Sequence, residues 1–181
     1  MNKDKTDDIV LAIDGSTKNT GWAIYVNNAL TAHGVINAGS ANVFHRIDKM
    51  IEEMKKIIEQ YKPTKISMEE VLPEDVRHNN NVFKPLMYLQ GYFMHLFDDY
   101  KIPADLVVAS HWRKCCGIKT GAGVQRTSLK PKDIQFVRKM FNIQVGDDEA
   151  DAICIGWAAT HKPLPVIDEE ITKDEFGFEF G

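Results

Sequence analysis

Three strand-like segments precede the first helix-like one, and that order restricts the fold more than any other feature of the chain. The pattern predicts a strand over residues 9–14 (IVLAID), an apolar run of the kind buried on both faces of a sheet. Gly15-Ser16 turns the chain, and residues 22–26 (WAIYV) form a second predicted strand. A third, over 30–36, returns across Asn27-Asn28, since asparagine accepts the positive φ of a tight hairpin. Only then does helical spacing begin. Ile47, Met50, Ile51, Met54, Ile57, Ile58 and Tyr61 recur between charges over 43–61, and Lys62-Pro63 stops the run.

Strand and helix then alternate. Residues 65–71 (KISMEEV) predict a fourth strand and 73–81 a polar loop, with Asn81 as the cap of a helix reaching about Tyr100 and Pro85 tolerated near its first turn. That helix is apolar on more than one side. Leu86, Leu89, Phe93 and Phe97 share a stripe, while Met87, Tyr88 and Met94 lie off it, and spacing leaves open which set faces inward. A fifth strand is predicted over 105–109, with Ser110 capping a short helix that contains Trp112. A Gly-, Thr- and Lys-rich loop spans 117–128, and helices follow at 131–142 and 147–160. The expected architecture is an α/β fold with a five-stranded mixed sheet and helices on both faces, residues 1–160 forming one domain and 161–181 an acidic tail that docks loosely or not at all.

Composition bounds the class. The chain has 181 residues, 44% hydrophobic and 27% charged, which supports one globular domain and argues against disorder. No apolar run approaches the ~20 residues of a membrane span, the N-terminus is too polar for a signal peptide, and Cys115, Cys116 and Cys154 form neither a disulfide framework nor a paired zinc signature. A reducing, cytoplasmic compartment is expected.

The net charge of −4 is unevenly spread. Residues 161–181 carry Lys162 and Lys173 against Asp168, Glu169, Glu170, Asp174, Glu175 and Glu179, so the remainder is neutral. Within that remainder, 101–145 holds Lys101, Arg113, Lys114, Lys119, Arg126, Lys130, Lys132, Arg138 and Lys139 against only Asp105 and Asp133. A basic stretch inside a neutral domain is a nucleic-acid footprint or a solvated helix face with a charged loop.

Carboxylates stand where apolar elements begin or end. Asp14 closes the first strand, Glu69-Glu70 sits in the fourth, and Asp147, Asp148, Glu149 and Asp151 open the last helix. Acids inside strands require solvent or a compensating cation. Asp148/Asp151 at i, i+3 and Asp147/Asp151 at i, i+4 each share a helix face, and spacing does not choose between them. Helix capping and dipole compensation account for the helix cluster taken alone. Should the first and fourth strands be neighbours with the last helix across them, the acids converge, and Ala150, Ala152, Ala158 and Ala159 permit the close approach. Clustered carboxylates stay ionised beside hard divalent cations, the usual means of cutting a phosphodiester.

Three stretches, LAIDGSTKNTGWAIY (11–25), ISMEEV (66–71) and DDEADAICIG (147–156), resemble those of RuvC-type Holliday-junction resolvases, and most of all bacteriophage members such as those of lactococcal phages. The likeness runs in order over roughly 9–160 and implies an RNase H-like fold. It implies a metal-dependent endonuclease that nicks four-way junctions and other branched DNA to 5′-phosphate and 3′-hydroxyl ends. It matches the family's acids to Asp14, Glu69, Asp148 and Asp151 as ligands of two Mg²⁺, with Mn²⁺ substituting, and its basic residue near the scissile phosphate to Lys132. Arg113, Lys114, Lys119, Arg126, Lys130 and Lys132 are the expected DNA contacts. Bacterial relatives carry an aromatic residue three positions after the glutamate where this chain has Leu72, so Phe83 is the candidate substitute. A two-fold homodimer on helix 82–100 suits a junction that must be nicked at two symmetric positions. The alternatives are a fold relative cutting RNA or RNA–DNA hybrids, and a binding module without catalysis. An actin-like or sugar-kinase ATPase, which also reads Asp-x-Gly-Ser/Thr after a strand, needs duplicated domains that 181 residues without a repeat do not supply.

Overall fold

The computed structural model describes residues 7–39, 42–73, 79–121, 124 and 126–166, with Arg126 described by its backbone alone. Among the described residues, ten strands and α-helices follow in the order β1 (Ile9–Asp14), β2 (Asn19–Val26), β3 (Ala29–Asn37), α1 (Val43–Tyr61), β4 (Lys65–Glu69), α2 (Asn80–Asp99), β5 (Ala104–Val107), α3 (Ala109–Cys115), α4 (Leu129–Phe141) and α5 (Asp147–Thr160). The sheet order is β3-β2-β1-β4-β5, antiparallel through β3, β2 and β1 and parallel from β1 through β4 to β5. This is the mixed sheet predicted. The hairpin turns as anticipated, with φ of 50° at Asn27 and 69° at Asn28.

Helix α1 has the predicted bounds because its signals agree. The Asn42 side chain accepts from the amides of Phe44 and His45, and Lys62 closes the helix in the left-handed region at φ 49°. Elsewhere tertiary pairing shifts the boundaries. β2 starts at Asn19 rather than Trp22 because Asn19 pairs with Asn37 and Gly21 with both Asp14 and Val35. The α2 cap is Asn79 and not Asn81: the Asn79 side chain accepts from the Asn81 amide and its carbonyl from the amides of Val82 and Phe83. Ser110 does not cap α3, which begins at Ala109 after Val108 without a side-chain cap, so β5 ends at Val107.

Two apolar layers flank the sheet. Leu11 and Ile13 of β1, with Ile66 and Met68 of β4, pack against α1 and α2. Val10 and Ala12, with Ala23 and Tyr25, pack against α3, α4 and α5. On α2 the inward residues are Leu89, Phe93, Leu96 and Phe97, while Met87, Tyr88 and Tyr92 are exposed. Helix α5 is buried almost all round from Ala150 to Gly156. The predicted alanines lie in the α5-side core, Ala150 and Ala152 fully buried with Ala158 and Ala159 packed against it, and two glycines add close approaches of their own. A Cβ on Gly21 would strike the Asp148 carbonyl, and one on Gly156 the Tyr25 ring.

Residues just past the expected boundary at 160 are seated against α3 and the segment that follows it. The Leu164 amide donates to the Cys115 carbonyl at 2.9 Å and its side chain joins the α5-side core. Gly117, at φ +77°, makes room for Pro165, since a Cβ there would lie 2.7 Å from the Pro165 carbonyl oxygen. The rest of the expected tail, 167–181, lies outside the described residues. No helix among the described residues is long and apolar enough to cross a membrane.

Candidate active site

Strand parity places the first two carboxylates. Val10 and Ala12 face α5, so Asp14, two residues on, faces it as well. In β4, Ile66 and Met68 face α1 and α2, which turns Ser67 and Glu69 the other way. The parallel register pairs Ile13 with Met68, and its next step sets Asp14 beside Glu69. Helix α5 packs on β1 and β2 and delivers two more acids from its first turns. Asp14, Glu69, Asp148 and Asp151 thus line one cleft of about 410 Å³, with Arg46, Glu70, Arg113 and Lys130 around it and Val82, Pro85 and Leu86 of α2 as its apolar wall.

The competing aspartates on α5 are separated by their partners. Asp147 turns to the Lys130 ammonium and is not among the lining residues. Asp148 is held by the Asn19 side chain, which itself accepts from Asn37 Nδ2 at 2.7 Å. Asp151 is 6% exposed, and its Oδ1 has no hydrogen-bond partner among the described residues. Glu69 Oε2 accepts from the Trp112 indole at 2.8 Å. Strand alternation alone would turn Glu70 to the opposite face. β4 ends at Glu69, so that alternation no longer binds it, and Glu70 borders the same cleft.

The site carries strong internal repulsion. Burial pushes the Asp14 carboxyl well above the usual carboxylate range, and Glu69, Asp151 and Asp148 push it further. Asp151 is pushed up to about 8 by burial first, then by the charge of Asp133 and a hydrogen bond with it, against the pull of Arg113 and Lys130. Burial raises Asp133 to about 6 despite Arg113. Burial and Asp147 raise Asp148, whereas the bond to Lys130 lowers Asp147.

The basic residues divide. Lys130, not Lys132, lines the cleft. Arg113 is 9% exposed and gives its Nε and Nη2 to Asp133 at 2.9 Å, which puts it among the carboxylates instead of on an outer phosphate track. Lys114 and Lys119 are exposed, Lys132 is half-buried, and the side chain of Arg126 lies outside the described residues. Neither Leu72 nor Phe83 lines the cleft, but Val71 does. Trp112, Asp133, Asn19 and Gly21 were missed as site residues. A buried Asp–Arg pair 20 residues apart leaves no spacing signal.

Among the described residues, no three His, Cys, Asp or Glu side chains close round a single point as an ion cage. The four carboxylates nonetheless fit hard divalent cations. Every donor is a carboxylate oxygen, the mutual repulsion at Asp14 is relieved by positive charge, and Asp151 Oδ1 is buried with nothing to bind among the described residues.

An antiparallel three-stranded meander continued by parallel βα units, with acids on its two central strands and on the helix crossing them, defines an RNase H-like α/β protein with an acidic cleft. Residues 10–84 match the crossover junction endodeoxyribonuclease RuvC family. The crossover junction endodeoxyribonuclease RuvC of Rickettsia bellii is 30% identical over 154 residues, covering 82% of this chain and 94% of that protein. The chain belongs to the RuvC family. Its fold is that of T. thermophilus RuvC, solved in complex with a Holliday junction substrate, at a TM-score of 0.66 and 13% identity over 86% of this chain and 99% of that one. The yeast mitochondrial Holliday junction resolvase Ydc2 gives a TM-score of 0.52 at 18% identity over 82% and 77% of the two chains.

Proposed function

We propose that this chain is a metal-dependent crossover junction endodeoxyribonuclease that nicks four-way junctions and other branched DNA, with Asp14, Glu69, Asp148 and Asp151 holding two Mg²⁺ or Mn²⁺. The observation that carries the reading is the meeting of four carboxylates from three elements in one cleft of a RuvC-family chain. Such ions, when bound, supply an activated water and stabilise the leaving oxygen, which yields 5′-phosphate and 3′-hydroxyl ends. The chain's own residues hold and aim the carboxylates. Lys130 at the cleft takes the role expected of Lys132, its ammonium placed near Asp147 and facing the charge that develops on the phosphate. Lys114, Lys119, Lys132 and Arg126 then form the outer track for the DNA backbone.

The partner is a second copy of the chain. Val82, Met87, Tyr88 and Tyr92 on α2, with Phe44 of α1 stacked on Tyr88 at 6.1 Å between ring centres, expose an apolar surface that a C₂ interface covers. Two sites per dimer suit two symmetric nicks.

Labelled four-way junction, fork, duplex and RNA–DNA hybrid incubated with Mg²⁺ test the activity. Paired nicks in junctions, absent with Asp14→Asn, support it. Cleavage of the hybrid alone, or junction binding without cleavage in any divalent metal, overturns it.

A further inference from the structure

Glu69 of β4 and Asp151 of α5 are each approached by one of two adjacent residues of a third element, α3. Trp112 is fully buried, and its Nε1 donates to Glu69 Oε2 at 2.8 Å. Arg113 lies over the Trp112 ring, with its Cζ 4.0 Å from the ring centre, so the two side chains form one stacked unit. The guanidinium is anchored on the other side by Asp133, which is fully buried and accepts from Nε at 2.9 and 3.2 Å and from Nη2 at 2.9 Å. This division of donors matters. With its fork given to Asp133, whose carboxyl also shares a hydrogen bond with Asp151, Arg113 reaches Asp151 Oδ2 only at 3.6 Å, close enough to steer that carboxylate, and no described residue donates to Oδ1.

We propose that α3 carries the positioning residues of the site: Trp112 sets the Glu69 carboxylate, and Arg113, held off by Asp133, sets that of Asp151, so that both present an oxygen to a divalent cation. This rests on the metal-binding reading above. Each acts through a carboxylate rather than on the reacting atoms. Groups behind metal ligands that fix their orientation are commonly worth about 10–100-fold in metal affinity. The bare charge of Arg113 acts in the opposite direction, because a guanidinium beside the cleft repels cations. Positioning and simple electrostatics therefore differ in sign.

Calorimetric titration of the full chain with Mn²⁺, beside the melting temperature without metal, tests the proposal. Trp112→Phe keeps the buried aromatic character and removes the indole N–H. The double variant Arg113→Gln with Asp133→Asn keeps the local net charge, lets the two amides bond to each other, and removes the fork. Each is expected to raise the Mn²⁺ dissociation constant about 10–100-fold while the metal-free protein still melts cooperatively, and excess Mn²⁺ should restore cleavage by Trp112→Phe. The double variant carries the test should Trp112→Phe not fold. Mn²⁺ affinity equal to the parent's in a folded variant, or a cleavage defect that excess metal does not restore, overturns the assignment. Absence of Mn²⁺ uptake by the parent itself, with Asp14→Asn indistinguishable from it, overturns the metal reading together with this one.

Discussion

At the scale of single residues the cleft is assembled against its own electrostatics. Asp14 sits where burial and three neighbouring carboxylates disfavour its charge, so Asp14→Asn should raise the melting temperature of the metal-free protein even as it removes cleavage. Its loss of nicking should exceed the ~10²-fold that removal of an orienting group behind a ligand produces. Junction binding, measured by gel shift, should persist, because the lost charge faced phosphate. Calorimetry checks the first outcome: an unchanged or lower melting temperature would mean that Asp14 is not held under repulsion. The pH dependence follows in sign. Asp14 and Asp151 bind protons more tightly in the folded chain than in the unfolded one, Asp151 with a value of about 8. Between the ordinary carboxylate range and about pH 8 the folded state therefore holds more protons, and stability conferred by these groups is present at low pH and declines as pH rises through that window. Melting scans in chelator should show the decline, and saturating Mg²⁺ should diminish or reverse it.

At the scale of elements, α2 has an inner face of Leu89, Phe93, Leu96 and Phe97 and an outer one of Met87, Tyr88 and Tyr92. Tyr88→Glu with Tyr92→Glu should leave the melting temperature near the parent's and raise the dimer dissociation constant more than about tenfold, as charge at the centre of an apolar contact does. Sedimentation equilibrium decides it; a parent chain that stays monomeric with and without junction DNA removes the interface. The inner face was not legible beforehand, because both stripes of α2 are apolar and only the packing of α1 selects one. Elements whose signals agree were legible to the residue: α1, with Asn42 before it and Lys62-Pro63 after it, and α5, announced by its acids. Shifts occurred where long-range pairing decides, as at Asn19, and where neighbouring asparagines compete for one local cap, as at Asn79. The candidate site was legible as far as its four acids sharing one cleft, since their places at strand ends and a helix start carry a motif. It was illegible in Arg113 and Asp133, whose charges read equally well as solvated surface until the fold buries one against the other.

At the scale of the molecule, charge is segregated along the chain. Affinity for branched DNA should fall steeply with salt despite a sequence pI of about 5.9. Lys119→Gln, Arg126→Gln and Lys132→Gln together should lower the slope of log affinity against log salt by up to about three, one for each phosphate no longer neutralised. An unchanged slope places the DNA track elsewhere. Two truncations separate domain from tail. Ending the chain after Val166 removes Asp168, Glu169, Glu170, Asp174, Glu175 and Glu179 along with Lys173, and should strengthen DNA binding without loss of stability. Ending it after His161 also removes Leu164 and Pro165 from their seat against Cys115 and Gly117, and should lower the melting temperature. Equal melting of the two truncated chains would mean that this seat contributes nothing. The seating of α5 on Gly21 and Gly156 has a consequence for heredity. Two positions with no side chain and no charge set how closely that helix lies on the sheet, so an alanine at either place is expected to displace the aspartates it carries into the cleft. A random-mutagenesis screen for resolution-defective alleles should return changes at these glycines alongside the four acids, although a scan restricted to charged residues would pass over both.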